Sequence, residues 1–318
     1  DTTANKAAYS PTKAKAAPDS GDVLGLGPCG LTITFGFGPG LFTKDGKDRY
    51  GLAARRPAAL VDLPRFNGDQ LIEQKTGGDL FIQACANDQQ VAFHAVRQLA
   101  RLAYGTAAMR WGQSGFLSGP RGQTPRNLMG FKDGTANLKA EEAATGDAVW
   151  VRAEDDPAAT WLAGGSYLVA RKIRMLIEAW DRAQLAEQEA VIGRDKNEGA
   201  PLTGGTEFSP IDLTGTGPSG SPIIAADAHV RLAHPSQNGG AALLRRGYNY
   251  VDGNDELGRL DAGLFFITYQ RSPEQFIQVQ RNLQRDALNE YIKHIGSGIW
   301  AVPPGASQGG WVGETLLG

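Results

Sequence analysis

The chain is poor in the residues from which many metal and redox sites are built. It has two cysteines and four histidines among 318 residues. Cys29 and Cys85 are too few for a disulfide framework and lack CxxC spacing, so neither a zinc site nor a redox pair is expected. We expect two buried thiols that behave as small hydrophobic groups, with one disulfide between them as the alternative. None of the histidines stands in HExxH spacing, which excludes that zinc motif.

Long apolar runs and an excess of one charge are also missing. The longest apolar stretches, such as 263–268, are too short to cross a bilayer, so no membrane span is expected. The 32 basic and 34 acidic side chains leave a net charge of −2 without a basic stripe. Nucleic acid is therefore not expected as a partner. A hydrophobic content of 41% is ordinary for a globular protein.

The length suits two domains, preceded by a tail. A chain of 318 residues is long for one hydrophobic core. Residues 1–21 are polar, rich in Ala, Lys and Pro and without periodicity, which predicts a flexible N-terminal tail. The chain begins with Asp1 rather than Met. We expect a processed or trimmed product, for which a removed export signal is one explanation.

Hydrophobic periodicity predicts the same type of fold in both halves. The first half gives strands at 31–37, 79–86 and 107–116, with a helix that Asn87 or Asp88 caps. The second half gives the order β-α-β-β-α-β, with elements at 167–174, 176–192, 241–251, 263–270, 273–291 and 299–302. This order predicts an α+β protein of two ferredoxin-like domains with antiparallel sheets, at 22–145 and 146–318.

Three segments carry candidate catalytic or ligand-binding residues. Asp133 stands in GFKDGT, inside a long loop rich in Gly, Pro and Asn. His229 follows Asp227-Ala228 after another polar loop, and Arg245-Arg246 ends an apolar segment. Taken singly, each has an ordinary explanation, namely a turn aspartate, a structural histidine and charges at a strand end. A loop as long as 120–138 without its own structure is usually functional.

Taken together and in this order, the segments resemble the dye-decolourising peroxidase family. GFKDGT is similar to the GxxDGT motif of the family, and the DAH segment to the part that carries its iron-ligating histidine. The stretches LLRRGYNY (243–250), AGLFFITYQRSP (262–273) and DALNEYIKHIGSGIWAVPPG (286–305) are similar to its distal arginine segment, its distal apolar strand and its C-terminal stretch. The resemblance covers residues 22–318.

The resemblance implies a role for each matching residue. Asp133 is implied as the distal acid, Arg245 as the distal arginine with Arg246 as the alternative, and His229 as the axial ligand of the haem iron. Asp286 is implied as the acceptor of a hydrogen bond from His229, with Glu290 as its rival. The other residues implied to contact the cofactor are Gly134, Thr135, Asn137, Arg231, Leu264 and Phe266.

The resemblance also implies the function. We expect one haem b per chain, held mainly by the C-terminal domain. The expected reaction reduces hydrogen peroxide and oxidises an aromatic, phenolic or dye-like reductant through a ferryl intermediate. Some branches of the family have Asn where this chain has Gly247, which favours the bacterial, exported and iron-uptake-related branch. Export through a removed twin-arginine signal is expected. The oligomeric state, monomer or homodimer, is left open.

Other functions remain as alternatives at this point. The first is a haem-binding or haem-iron-handling protein of the deferrochelatase kind, in which peroxidase activity is incidental. Retention of both Asp133 and Arg245 favours the enzyme, because carriage of haem needs neither. A chlorite-splitting haem enzyme is disfavoured by the acid at Asp133. A ferredoxin-like module without a cofactor is the remaining alternative.

Overall fold

The computed structural model describes residues 19–120 and 122–318. Most of the predicted tail, residues 1–18, lies outside the described residues. Helices and antiparallel strands together form an α+β protein. The strands are β1 (Thr32–Phe37), β2 (Leu80–Cys85), β3 (Ser166–Met175), β4 (Leu244–Arg245), β5 (Tyr248–Asn254), β6 (Leu260–Gln270) and β7 (Ile292–Val302). The helices are α1 (Pro39–Phe42), α2 (Gln89–Leu102), α3 (Ala143–Val149), α4 (Ile177–Trp180), α5 (Leu185–Ile192), α6 (His229–Leu232), α7 (Pro273–Asn282) and α8 (Glu314–Leu317).

The C-terminal half has the predicted β-α-β-β-α-β order. Its strands lie in the spatial order β7-β3-β6, with β4 and β5 both paired to the far edge of β6. Every pair is antiparallel, and Ala170 in the central strand faces Ile267 on one side and Gly298 on the other. This is the split-βαβ arrangement of a ferredoxin-like domain. The predicted fold class is confirmed.

The N-terminal half contributes a two-stranded unit to the same sheet. β1 pairs with β2 over six residues and meets β7 through Phe37 and Ala301. The third strand predicted at 107–116 is not one, since only Phe116 pairs there, with Asn249. Side chains hold this segment instead, and the indole nitrogen of Trp111 donates to the carbonyl of Gly77 at 2.7 Å.

Two predicted boundaries in the C-terminal half were wrong. The last strand was expected at 299–302, but β7 begins seven residues earlier at Ile292. Its Gly296 and Gly298 look like turn residues, yet a Cβ there would lie 2.6 Å from the Lys75 carbonyl oxygen and 2.2 Å from the Trp300 ring. Close packing in the sheet therefore requires these glycines. The helix predicted over 273–291 ends at Asn282 and continues as two 3-10 turns.

Two smaller expectations can also be compared with the structure. Asp88, rather than Asn87, caps α2, and its carboxylate accepts from the backbone amides of Gln90 and Val91. Cys29 and Cys85 are both free thiols, as predicted, but they are only partly buried where full burial was expected. None of the helices within 19–120 and 122–318 has the length and apolar composition needed to cross a bilayer.

One of the three hydrophobic clusters joins the segments that the sequence singled out. It contains Phe131 beside Asp133, Val230 beside His229 and Leu288 beside Asp286. Leu264 of β6 packs against it. Because apolar neighbours of all these polar residues share one core, the core fixes the polar residues relative to one another.

A buried ion pair joins the central strand to the loop before β2. Arg171 and Asp69 pair with side chains only 1% and 2% exposed, and Arg171 also donates to the Ser297 hydroxyl at 2.9 Å. We expect Asp69→Ala to lower the free energy of unfolding by about 3–5 kcal/mol, because it leaves a buried guanidinium without its counter-charge. Urea denaturation of haem-free protein measures this without a contribution from bound cofactor.

The matched control is Glu274→Ala in the exposed pair with Arg281, whose side chains are 64% and 60% exposed. It should cost no more than about 1 kcal/mol, as exposed pairs do. If Asp69→Ala is no more destabilising than this control, water solvates the Arg171 charge in the variant, and the ion pair does not stabilise the fold.

Candidate active site

The GFKDGT segment forms a tight turn that presents Asp133. The backbone amide of Asp133 donates to the Pro125 carbonyl at 2.8 Å. Gly134 follows with a φ of 136°, a conformation that residues with a Cβ rarely adopt. The Asp133 side chain is about a quarter exposed, at 26%. Its carboxylate is therefore neither enclosed in the core nor free in solvent.

Arg245 pairs with Asp133 across the two halves of the chain. Its Nη1 donates to Oδ1 of Asp133 at 3.0 Å. Asn137 fixes the backbone beneath the pair, since its amide side chain donates to the Arg245 carbonyl and accepts from the Arg245 amide, both at 2.8 Å. Arg246 turns instead to the Tyr248 hydroxyl, at 2.9 Å. Of the two candidate arginines, Arg245 is the one that lies beside the acid.

The pair lines a cleft of about 420 Å³. Gly134, Thr135, Asn137 and Leu264 lie on its wall, as the sequence had suggested. The other lining residues are Leu117, Gly122, Gln123, Thr124, Pro125, Arg126, Asn127, Leu138, Lys139, Phe208, Arg246, Gly247 and Asn249. The cleft is thus large enough for small reactants, and Asp133 is its one acidic lining residue among several basic ones in the described part of the chain.

The cleft is not lined by four of the expected residues, namely His229, Asp286, Phe266 and Arg231. Phe266 packs against the other large hydrophobic cluster, around Phe276 and Trp161, although it is only two residues from Leu264. Arg231 uses its guanidinium to donate to the carbonyls of Ile224 and Ala225, and so braces the segment before His229.

His229 begins the short helix α6 and is tied to Asp286. Its Nδ1 lies 2.6 Å from Oδ2 of Asp286, while Oδ1 of Asp286 accepts from the Leu288 amide at 2.8 Å. Asp286 is 5% exposed and caps the second 3-10 turn, which explains why the predicted helix stops before it. Glu290, the rival acid, has no hydrogen bond to His229 within the described part of the chain.

Electrostatics link His229 to the acid–arginine pair. Burial lowers the pKa of His229, but the Asp286 carboxylate outweighs it, so the pKa is raised overall. The charge of Arg245 lowers this pKa, and the charge of Asp133 raises it. Asp133 and Arg245 are therefore near enough to influence the charge of the imidazole, although His229 does not line their cleft.

These residues fit a haem better than a metal ion held by protein ligands alone. In residues 19–120 and 122–318, no cluster of three or more His, Cys, Asp or Glu side chains could hold a metal. In the same part of the chain, Nε2 of His229 has no hydrogen-bond partner, and the side chain is 34% exposed. One histidine with a free Nε2 and a carboxylate on Nδ1 suits an axial haem ligand, because the porphyrin supplies the other nitrogen ligands.

Sequence reasoning missed Glu207 and Phe208. The Glu207 carboxylate accepts from Lys132 and from the Thr135 hydroxyl, the latter at 2.9 Å. Phe208 lines the cleft with 65% of its surface exposed. Both lie in a Gly- and Pro-rich loop without periodicity, and the length of this loop was the one signal of a functional role.

Comparisons with known proteins agree with this geometry. Residues 3–117 match the model of the Dyp-type peroxidase N-terminal domain, and residues 124–307 match that of the C-terminal domain. A dye-decolorizing peroxidase of Thermobifida fusca is 43% identical over 302 residues, which are 92% of this chain and 69% of that protein. A deferrochelatase of Escherichia coli K12 is 39% identical over 310 residues, covering 94% of this chain and 72% of that protein.

Solved structures show the same similarity. The oxyferrous complex of DtpA from Streptomyces lividans superposes with a TM-score of 0.89 at 43% identity, covering all of this chain and 86% of that one. A DyP-type peroxidase from Cellulomonas bogoriensis gives a TM-score of 0.84, also at 43% identity, over 91% of this chain and 79% of that one.

The fold and the site thus define a haem-binding oxidoreductase that acts on peroxide. The chain belongs to the dye-decolourising peroxidase family. Membership makes it a peroxidase that uses peroxide and a reducing substrate, and the relatives named above are bacterial. The predicted family and enzyme class are confirmed.

Proposed function

We propose that this chain reduces hydrogen peroxide at one haem b, ligated by His229, and oxidises aromatic or dye-like reductants. The observation that carries the proposal is the 3.0 Å pair of Asp133 and Arg245 on the wall of the cleft. It joins a base and a permanent positive charge within electrostatic reach of His229. A protein that only carried haem would need neither group.

The two distal groups have complementary roles in the proposed reaction. The Asp133 carboxylate takes the proton from one peroxide oxygen and returns it to the other as the O–O bond breaks. The Arg245 guanidinium stabilises the negative charge that develops on the leaving oxygen. Leu264 keeps this part of the cleft apolar, and Asn137 holds the Arg245 backbone in place.

The groups around His229 prepare it as a ligand. Asp286 accepts the Nδ1 proton and thereby leaves the lone pair of Nε2 free. A carboxylate partner also makes the imidazole a stronger electron donor. Haem, when bound, supplies the redox chemistry, and the protein supplies the ligand, the proton transfer and the access. We propose that Gly134, Thr135 and Arg231 hold in place the backbone segments that surround the cofactor.

We expect the haem-loaded protein to show a Soret band and to decolourise an anthraquinone dye only when peroxide is added. Absorption spectroscopy and a dye assay, each repeated on haem-free protein, measure both properties. No Soret band would exclude a haem protein. A dye reaction that does not depend on haem would exclude the proposed site.

The relatives named deferrochelatase support a second candidate, the handling of haem iron with incidental peroxidase activity. Porphyrin fluorescence distinguishes the two functions, because iron-free porphyrin fluoresces and haem does not. Under the peroxidase proposal, the dye reaction proceeds without release of iron-free porphyrin. Porphyrin release faster than dye turnover would favour the second function.

We further propose a domain boundary between residues 145 and 146 and export through a removed twin-arginine signal. The short helix α3 spans the proposed boundary and precedes the first strand of the C-terminal half.

The polar composition of residues 1–21 suits a stretch that follows an export signal. Fractionation of cells that express the complete gene tests the export proposal.

A further inference from the structure

Glu207 is a nearly buried carboxylate that reaches the turn of the distal acid from another loop. Its side chain is 11% exposed. Lys132 Nζ donates to Oε2 and the Thr135 hydroxyl to Oε1, and the Thr124 side chain also contributes a hydrogen bond. Lys132 and Thr135 lie on either side of Asp133 and Gly134. One carboxylate therefore receives donors from both flanks of the turn.

The backbone of Glu207 is itself firmly held. Arg194, which is buried, donates from Nη1 to the Glu207 carbonyl at 2.9 Å and to the Gly199 carbonyl at 2.6 Å. Burial raises the pKa of Glu207, but the hydrogen bonds from Lys132, Thr124 and Thr135 outweigh it and lower the pKa overall. Glu207 is therefore a fixed negative charge at neutral pH.

The turn that carries Asp133 is fixed by the buried Phe131 on its N-terminal side, where Lys132 also pairs with Arg126, but its C-terminal side begins with Gly134. In the described residues, the Asp133 side chain has one hydrogen bond, to Arg245. Gly134 has a φ of 136° and no side chain to pack, so the backbone next to the acid has an unusual freedom. The amide of Asp133 donates to the Pro125 carbonyl within the same loop. Glu207 adds a contact from another loop on the Gly134–Thr135 side of the acid, where it accepts from the Thr135 hydroxyl.

We propose that Glu207 is a positioning residue for the reaction with peroxide, because it fixes Lys132 and Thr135 and thereby the place of Asp133 in the cleft. This inference rests on the proposed role of Asp133. Glu207 does not touch peroxide. It acts by holding the base within hydrogen-bond reach of the proton that the base must take.

The first test is a double-mutant cycle of Glu207→Gln and Asp133→Asn. Glutamine keeps the shape of the side chain, but it lacks the charge and places an NH₂ group beside three donors. We expect Glu207→Gln to slow the stopped-flow reaction with peroxide by about 10- to 100-fold, the usual cost of a misplaced catalytic group. In the Asp133→Asn background the same change should have almost no effect, because the base through which Glu207 acts is gone.

The control is Glu198→Gln, the same substitution at an exposed position of the neighbouring turn. Its side chain contacts Asn197 rather than the Asp133 turn. The control should react with peroxide at the wild-type rate. If Glu207→Gln does not fold, Thr135→Val removes a single donor and should give a smaller loss in the same direction.

A second readout does not depend on haem. Hydrogen exchange in the haem-free protein reports the opening of the Asp133 amide, which donates to Pro125. Glu207→Gln should make this amide exchange about tenfold faster or more, while amides in β3 stay as they are in the wild type.

Three results separate the inference from the proposed function. Equal slowing by Glu207→Gln in both backgrounds would overturn the inference, because Glu207 would then stabilise the fold without acting through Asp133. A wild-type rate in Glu207→Gln, with a slow Asp133→Asn, would also overturn it and leave the role of Asp133 intact. A wild-type rate in Asp133→Asn would overturn that role first, and the inference with it.

Discussion

Replacing His229 by alanine is expected to give a protein that purifies with far less haem than the wild type. We expect at least about a tenfold loss, since removal of a ligand's outer hydrogen-bond partner alone costs about 10- to 100-fold in metal affinity. The reason is the geometry of His229, whose Nδ1 is occupied by Asp286 while Nε2 is the nitrogen available to iron. Haem content per chain, from the pyridine haemochrome spectrum, is the measurement.

Asp286→Asn tests the same site with a smaller expected loss of haem, and His234→Ala is the control. Asparagine at 286 removes the negative charge but keeps the size, so haem binding should weaken without being lost. His234 is partly buried and contacts Ser236 in its own turn, and its removal should leave the haem content unchanged. Full haem content and an unaltered iron spectrum in His229→Ala would instead assign the iron to His234 or His294.

His294 is the less suitable rival, for a physical reason. It is 8% exposed within β7, and burial together with the nearby charge of Arg171 lowers its pKa to about 3. Such an imidazole stays neutral, but it lies inside the sheet among packed side chains. The His229 side chain, by contrast, is 34% exposed, and its Nε2 has no hydrogen-bond partner in the described residues.

Asp133→Ala should retain haem and slow the reaction with peroxide by about 10²- to 10⁴-fold, the usual worth of a general acid–base group. The expected loss follows from the position of Asp133 on the cleft wall beside Arg245. Stopped-flow absorbance after mixing with peroxide measures the step directly, before any reducing substrate takes part.

Asp212→Ala is the matched control, because Asp212 is an exposed acid that binds only its own turn, through Thr214 and Gly215. Its variant should react at the wild-type rate. An unchanged rate in Asp133→Ala would show that Asp133 only shapes the turn and that Arg245 acts on peroxide without it. Comparison of Arg245→Leu with Arg246→Leu would then show which arginine contributes.

The sequence was most informative where local pattern and tertiary environment agree. β3 and β6 alternate or run apolar over many residues, and the β-α-β-β-α-β order followed from them. β7 was recognised only at its end, because the glycines that let Lys75 and Trp300 pack closely are also typical of turns. The segment 107–116 has the composition of a strand, yet side chains such as Trp111 attach it where a backbone ladder was expected.

In the candidate site, too, local sequence pattern predicted some residues and missed others. The resemblance predicted one site for Asp133, His229 and Arg245, and the structure brings Asp133 and Arg245 together from segments 112 residues apart. The choice of Arg245 over Arg246 needed coordinates, since adjacent residues of a strand point to opposite sides. Glu207 was out of reach, because its partners lie 72 and 75 residues away in sequence and its own loop has no pattern.

The clamp between Asn137 and Arg245 makes proton transfer dependent on domain docking. The acid and the clamp come from the first half of the chain, and the arginine and the proposed iron ligand come from the second half. In a molecule whose halves have not docked, residues 146–318 would contain His229 and Asp286 but not the proposed base for peroxide. Under the proposed roles, reaction with peroxide therefore requires both halves to be in contact, even if the second half alone can bind the cofactor.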